Sequence, residues 1–373
     1  MLRATCAEID LNAIARNLQN IRERVQPSQI MAVVKADAYG HGMTEVAQVA
    51  LENGASYLGV ALLEEGVELR QKGIKAPVLV FGGFFENQID DYLRFNLQFT
   101  LYDMPRARAL NYKAQLLGKQ ATVHVKVDTG MGRVGVAWEN GVNFIKNILE
   151  LKQLNVVGLY THFATSDEKD KAFAYMQLER FNHLLKQLEE NHIRIPLVHA
   201  ANSGAILDIP EAYFNMVRPG VMMYGYYPSR QTSESIAISP AMTLKSRIIY
   251  LKSIKEGETV SYGRTFKATH PTYIATVPVG YADGYNRLLS NRGEVLIAGR
   301  RYPVVGRVCM DQILVDVGQD SHIKTGDEVV LMGRQGDEEI SIYEICEKLN
   351  TIPYEVTCWV SKRVPRVYKK LEE

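Results

Sequence analysis

Between Ile30 and Arg218 the sequence switches hydrophobic period again and again, and no other feature narrows the possible folds as much. Apolar runs that read as strands occur at Ile30–Val34, Tyr57–Val60, Val78–Phe81, Leu97–Thr100, Thr122–Val127, Val156–Tyr160, Leu197–His199 and Met216–Arg218. Helical spacing fills the intervals: Met43–Asn53, Glu64–Lys72, Glu86–Phe95, Asp103–Leu117, Trp138–Leu151, Lys169–Glu190 and a short piece after Gly204. Repeated strand–helix units imply parallel pairing with right-handed crossovers. A count of eight predicts a closed (β/α)8 TIM-type barrel, with an open doubly wound sheet as the competing arrangement.

A barrel of this kind collects its chemistry at the C-terminal ends of the strands. The first run stops at Lys35 and passes into Ala36-Asp37-Ala38-Tyr39-Gly40-His41-Gly42, a Gly- and Tyr-containing turn. Its five preceding apolar residues suit a strand covered on both faces. The fifth run leads to Asp128-Thr129-Gly130-Met131-Gly132-Arg133, the sixth to His162, the seventh to Asn202-Ser203 and the eighth to Arg218-Pro219-Gly220. Several ionisable or hydroxyl groups thus gather at one topological edge.

Ahead of the barrel, Ala4–Ile9 reads as a short strand, and Asp10 is placed to cap a helix carrying Leu11, Ile14, Leu18 and Ile21. After Tyr227 a polar linker, Pro228 to Ser235, leads into short β-rich runs at Thr243–Ile254, Tyr273–Val279, Gly293–Ile297, Gln312–Val317 and Glu328–Met332. One helix interrupts them, opening at Ser341 with Glu344 in capping-box spacing. The expected division is a barrel over residues 1–235 and a mainly β domain over residues 236–373.

With 43 basic and 42 acidic side chains the net charge is +1, so no global field draws nucleic acid or an anionic membrane. The four cysteines, Cys6, Cys309, Cys346 and Cys358, show neither CxxC spacing nor the density of a disulfide scaffold. No metal site is indicated. The N-terminal residues lack an apolar signal region, and no uninterrupted apolar run is long enough to span a membrane, so a cytoplasmic protein is expected.

The segment Ala32-Val33-Val34-Lys35-Ala36-Asp37-Ala38-Tyr39-Gly40-His41-Gly42 resembles the pyridoxal-phosphate attachment segment of the alanine racemase family. Lys126 to Gly135, Thr161-His162-Phe163-Ala164, Ala201-Asn202-Ser203 and Val217-Arg218-Pro219-Gly220 agree with it. So do Ser261-Tyr262-Gly263-Arg264, Gly280 to Gly284 and Gly306 to Asp311 in the second domain. The resemblance spans almost the whole chain. It implies a barrel plus β-domain, pyridoxal 5'-phosphate as cofactor, and a head-to-tail homodimer whose active sites combine one barrel with the partner's β-domain.

By this resemblance Lys35 forms the resting aldimine and acts as base on one face, and Tyr262 from the other subunit acts on the opposite face. Free tyrosine, with a pKa of about 10, is a poor base at neutral pH, and His162 is the group expected to assist it. Arg218 faces the pyridine nitrogen, where a guanidinium donates a hydrogen bond but not a proton. Asn202, Ser203, the amides around Gly220 and Val221, and the Tyr39 hydroxyl hold the cofactor. Lys362 stands where family members often have a tyrosine, and is expected to pair with the phosphate as a point charge, the alternative being that it points to solvent. Arg133 and the Met310 amide hold the substrate carboxylate, with Tyr281 and Asp311 completing the partner's contribution. Lys126 matches a lysine carbamylated in many members, Asp167, Arg287 and Arg307 resemble entrance residues, and Cys309 reads as a small buried residue.

The function implied is interconversion of L- and D-alanine, supplying D-alanine for cell-wall peptidoglycan. A serine or broad-specificity racemase would use the same machinery and differ near the substrate methyl. Single-barrel pyridoxal-phosphate-binding modules lack the β-domain that carries Tyr262, and a decarboxylase of related architecture would lack the Ser261-Tyr262-Gly263 segment.

Overall fold

Eight strands pair in parallel and close on themselves, which settles the barrel against the open sheet. In this computed structural model, which describes residues 3–369, they are Gln29–Val33, Ala55–Val60, Val78–Val80, Gln98–Leu101, Ala121–Asp128, Leu154–Tyr160, Leu197–His199 and Met216–Val217. The fourth pairs with the fifth through Phe99↔Val123, and the eighth with the first through Met216↔Gln29. Residues 1–2 and 370–373, at the outer ends of the two expected domains, lie outside the described residues.

The strands read as continuous apolar runs because both faces are covered. Met31, Leu79, Tyr160, Leu197 and Met216 form one interior cluster, with Tyr57 and Phe81 packed against it. Outside, the helix Ala172–Glu190 buries Leu178, Phe181, Leu184 and Leu188 at helical spacing. Each such fully buried side chain contributes about 1.5–3 kcal/mol. Asp103 caps the helix Met104–Leu116 by accepting from the Arg106 amide at 2.8 Å.

The chain divides into two compact units. The barrel unit holds Ile14–Ala38 and Met43–Ile238, and the β unit holds the residues up to Ala13, Tyr39–Gly42 and those from Ser239 on. The N-terminal strand Cys6–Asp10 pairs antiparallel with Met242–Arg247 and parallel with Arg366–Lys369, inside the β unit's main sheet. A cut at residue 235 assigns that strand to the barrel. A five-residue run carries no sign of which sheet it joins, and here the join is made by partners more than 230 residues away.

The run expected over Thr243–Ile254 is two strands, Met242–Arg247 and Tyr250–Ile254, in different sheets. The second sheet also holds Thr272–Val277 and Ile313–Gly318. Two helices, rather than one, follow: Ile342–Leu349 and Pro353–Trp359. Ser341 accepts from the Glu344 amide at 3.1 Å, while the Glu344 carboxylate turns to Arg301 and Lys348. Among the described residues no helix is long and apolar enough to cross a membrane.

Candidate active site

Lys35 is half-buried at the end of strand one, and the chain beyond it winds the wrong way. Ala36, Asp37, Ala38 and Tyr39 all have φ 53°, and Gly40 has φ 81°. For L-residues a left-handed helical turn costs roughly 1–2 kcal/mol per residue, so four in succession must be held from outside. The Ala36 amide donates to Glu65 Oε1 at 2.6 Å, and Glu65 Oε2 accepts from the Ala61 and Leu62 amides that open the helix Leu63–Gln71. Asp37 Oδ1 accepts from the Met43 amide at 2.9 Å. In the β unit, Arg366 Nε donates to the Gly40 carbonyl at 2.9 Å, and the Tyr39 ring lies 5.9 Å from that of Tyr354. Gly40 is required there: a Cβ would stand 2.3 Å from the Thr357 carbonyl oxygen.

Arg218, just past strand eight, is only 4% exposed and is surrounded by acceptors. Its Nη2 donates to the Thr161 carbonyl at 2.8 Å, the Ala200 carbonyl at 2.9 Å and His162 Nδ1 at 3.2 Å, and its Nη1 to His199 Nδ1 at 2.9 Å. Nε–H and the second Nη1 proton make no hydrogen bond among the described residues. Burial lowers the guanidinium to about 10, with Tyr160 opposing and Arg133 adding to the effect, so Arg218 stays charged at neutral pH. Burial, and then neighbouring cations such as Lys126 and Arg218, hold half-buried His162 well below the usual histidine range.

Lys126, on strand five, is buried with its Nζ 4.7 Å from the Tyr160 ring centroid. Burial, and then Arg218 and Arg133, put its pKa well below the lysine range. Tyr160 stacks on His199 with ring centroids 4.7 Å apart. Its hydroxyl meets Thr100 Oγ1 at 2.9 Å, and Thr100 spends its own proton on the Val80 carbonyl, so the tyrosine donates. Burial pushes the phenol up to about 12. Arg133 is exposed at the end of the Asp128–Gly132 loop, whose Gly130 and Gly132 amides donate to Asp128 Oδ1 at 2.9 and 3.1 Å. Gln177 ties this loop to the next by donating to Thr129 Oγ1 and the His162 carbonyl and accepting from the Ala164 amide.

Two short helices, Ser203–Asp208 and Val221–Tyr224, begin side by side. Ser203 Oγ accepts from the Gly220 amide at 3.0 Å and the Met222 amide at 3.5 Å. The amides of Ser203, Gly204 and Val221, first in their helices, have no partner within them, which makes a cradle for an anion. Asn202 has a structural use: its Oδ1 caps the first helix through the Ala205 amide and accepts from Ser166 Oγ at 2.7 Å. Asp167 is half-buried nearby in sequence, its carbonyl accepting from Ser229 Oγ.

In the β unit three loops meet. Ser261, at φ 64°, opens the tip of the Thr259–Val260/Phe266–Lys267 hairpin and donates to the Arg307 carbonyl at 2.6 Å. The Tyr281 and Ala282 amides donate to the Cys309 and Met310 carbonyls, both at 3.0 Å. Gly280 allows this approach, since a Cβ would lie 2.3 Å from the Cys309 oxygen. The side chains displayed face outward: Tyr262 is 69% exposed, Met310 51% and Tyr281 41%. Asp311 pairs with Arg363 at 2.6 Å, and Arg363 also reaches buried Asp283, which Arg3 meets at 2.6 Å. Lys362, Arg287 and Arg307 are exposed. Cys309 is half-buried rather than buried, its Sγ 3.7 Å from Ser261 Oγ, because the hairpin tip leaves one side open.

The barrel therefore brings together Lys126, His162 and Arg218 in one buried network, and Ser203 with Gly220 and Val221 in a second group. The β unit brings together Tyr262, Tyr281, Met310 and Asp311. Sequence reasoning missed Glu65, Tyr160, His199, Gln177, Asp283 and Arg366. A signal existed for the fifth strand: His124, Lys126 and Asp128 alternate with valines, a polar row on one face of a buried strand.

Residues 9–228 match the family described as alanine racemase, N-terminal domain, and residues 241–368 that described as alanine racemase, C-terminal domain. An alanine racemase of Clostridium perfringens is 47% identical over 374 residues, covering 100% of this chain and 97% of that protein. A solved alanine racemase structure from Clostridium difficile superposes with a TM-score of 0.96 at 40% identity, covering 100% of this chain and 97% of that one. One from Bartonella henselae with covalently bound pyridoxal phosphate has a TM-score of 0.88 at 28% identity, covering 98% and 99%.

Proposed function

The chain belongs to the alanine racemase family, an enzyme family, and on that premise we propose that it interconverts L- and D-alanine with pyridoxal phosphate carried on Lys35, supplying D-alanine for peptidoglycan in the cytoplasm. The residues fit that cofactor. A lysine at a strand end, a cradle of helix-opening amides for a phosphate, and a buried guanidinium with donors to spare among the described residues all stand at the C-terminal ends of one barrel. That convergence carries the reading. When bound, pyridoxal phosphate supplies an electron-withdrawing ring that makes the α-proton of an attached amino acid removable.

The chain's own residues do the rest. Ser203, the Val221 amide and the Tyr39 hydroxyl hold the phosphate, with the Gly220 amide orienting Ser203 Oγ, Lys362 adding a point charge and Asn202 keeping the first helix in place. Arg218 donates to the ring nitrogen without giving up its proton. Arg133 and the Met310 amide hold the substrate carboxylate. The amine of Lys35 takes or returns the proton on one face, and Tyr262, assisted by His162, does so on the other. Because Tyr262, Tyr281, Met310 and Asp311 are exposed on their own chain, they are supplied to a second subunit's barrel in a homodimer. Lys126 in its neutral form adds carbon dioxide and loses a proton, and the resulting carbamate orients Arg133.

The test is peptide mapping after borohydride reduction, alongside loss of optical rotation from L-alanine and L-serine in parallel. The expected result is a pyridoxyl group on Lys35 and faster racemisation of alanine. No modification at Lys35 sinks the cofactor assignment, and faster turnover of serine replaces the substrate.

A further inference from the structure

We propose that Gln98 and His124 are positioning residues for this reaction: they close a one-way chain of hydrogen bonds that begins at Arg218, passes through His199 toward the opposite end of the barrel, and fixes how Arg218 presents its protons to the cofactor's ring nitrogen. The inference rests on the cofactor reading given above. Arg218 Nη1 to His199 Nδ1 is 2.9 Å, His199 Nε2 to His124 Nδ1 is 2.9 Å, and His124 Nε2 to Gln98 Oε1 is 2.8 Å. Both imidazoles are fully buried, and half-buried Gln98 is the first residue of strand four, at the N-terminal end of the barrel.

The chain has only one direction. A guanidinium carries donors and no acceptor, so His199 Nδ1 must accept. A neutral His199 then keeps its proton on Nε2 and donates to His124 Nδ1, and His124 in turn holds its proton on Nε2 and donates to Gln98. Each ring is therefore fixed as the Nε2–H tautomer by the link before it. A second proton on either ring would set an N–H of His199 against an N–H of Arg218, two donors face to face, and turn the guanidinium away.

The surroundings keep that second proton out. His199 and Arg218 face His124, and the Tyr57 ring meets it edge-on at 6.3 Å; Lys126, Tyr160 and Arg218 surround His199. Burial, and then Arg218, lower His124 to about 3, and the same two causes hold His199 well below the histidine range. No carboxylate faces either ring among the described residues' contacts to them. The space for His124 is built in: its register partner Gly158 has no side chain, and a Cβ there would lie 1.9 Å from His124 Nδ1.

Gln98→Glu and Gln98→Met separate this role from simple packing. Glutamate keeps an acceptor at His124 Nε2 but adds a charge that lets His124 take a second proton and reverse the chain. In the holoenzyme, Gln98→Glu is expected to give the cofactor's visible band a titration step between about pH 5 and 8, absent from the unaltered protein and from Gln98→Met. On the acid side of that step kcat falls about tenfold or more while KM for L-alanine changes less than about threefold. Equal losses in both variants with no new step overturn the proposal. Should either variant fold poorly, 15N spectra of the unaltered protein without cofactor decide: bare Nδ1 in both His124 and His199 supports the chain, and Nδ1–H in either overturns it. A protein that takes up no cofactor instead overturns the reading of the site, and the tautomer result stands apart from it.

Discussion

Arg218 and Tyr262 serve the same proposed reaction from contrasting surroundings. Arg218 is 4% exposed and tied by four hydrogen bonds to two carbonyls and two imidazoles. Tyr262 is 69% exposed on a hairpin tip placed by backbone contacts of its neighbours, such as the Ser261 hydroxyl on the Arg307 carbonyl. A group whose task is electrostatic works best when its orientation is fixed before the reaction, in surroundings from which water is excluded. A group offered to another chain must be exposed on its own, with the backbone beneath it carrying the precision. On the proposed reading the barrel cluster acts within its own chain, whereas the β-unit cluster is a half-site offered to a second chain.

The sharpest way to break this comparison is to damage each half separately and mix. Lys35→Ala should abolish racemisation, by more than about 10⁴-fold, and Tyr262→Phe should reduce it by about 10²–10⁴-fold, as expected for loss of a nucleophile or a general acid–base group. If the site is shared, unfolding and refolding the two variants together yields mixed dimers in which one of the two sites carries both defects and the other neither. Activity should then return well above that of either variant alone, measured by optical rotation against the mixing ratio. No recovery at any ratio would mean that one chain supplies both residues.

Much of this was legible in the sequence, and the omissions have physical causes. The eight strands were readable because a strand covered on both faces must be apolar throughout, and Lys35 and Arg218 stood out as the charges that end such runs. The Ser341 cap was readable because its bond is local, between residues 341 and 344. The left-handed turn was not, since Ala-Asp-Ala-Tyr carries no local mark of φ 53° and the conformation is imposed by distant groups, Glu65 and Arg366 among them. His199 read only as a strand end because its partners, His124 and Arg218, lie 75 and 19 residues away. Asn202 was legible as a motif residue beside Ser203, but its cap on the helix that Ser203 opens shows only in the structure.

A smaller effect separates the two clusters by stability. Arg218→Leu leaves the Thr161 and Ala200 carbonyls and two imidazole nitrogens without their donor, and unpaired buried acceptors cost about 1–3 kcal/mol each, not additively. The expected loss is about 2–5 kcal/mol in urea unfolding. Tyr262→Phe removes a hydroxyl from an exposed ring and should change stability by less than about 0.5 kcal/mol. If Tyr262→Phe proves the more destabilising of the two, the tyrosine is part of a packed core in solution and the half-site description fails.

The smallest effect is in how the two units answer acid. His124, lowered to about 3 by burial and then Arg218, stays neutral in the folded barrel while the unfolded chain takes up its proton below about pH 6.5, and His162 and His199 are displaced in the same direction. The unfolded state then binds more protons, so the barrel loses stability as pH falls from about 6.5, with a slope of up to about 1.4 kcal/mol per pH unit for each histidine. In the β unit the lowered carboxylates are Glu8, Asp320 and Glu344; for Glu344, against the raising effect of its burial, hydrogen bonds from Lys348 and Arg301 hold it below its ordinary value of 4.5. Its contribution is complete above 4.5 and is lost only as pH falls further. Between about pH 6.5 and 4.5 acid should therefore weaken the barrel and spare the β unit. The chain has two tryptophans, Trp138 in the barrel unit and Trp359 in the β unit, so Trp359→Phe and Trp138→Phe each leave one reporter. Emission wavelength in fixed urea should shift first for Trp138 as pH is lowered, and less steeply once His124→Gln removes one of the three imidazoles. An earlier shift at Trp359 would place the acid-sensitive groups in the β unit and reverse the contrast between a closed, neutral-histidine network and an open, carboxylate-braced one.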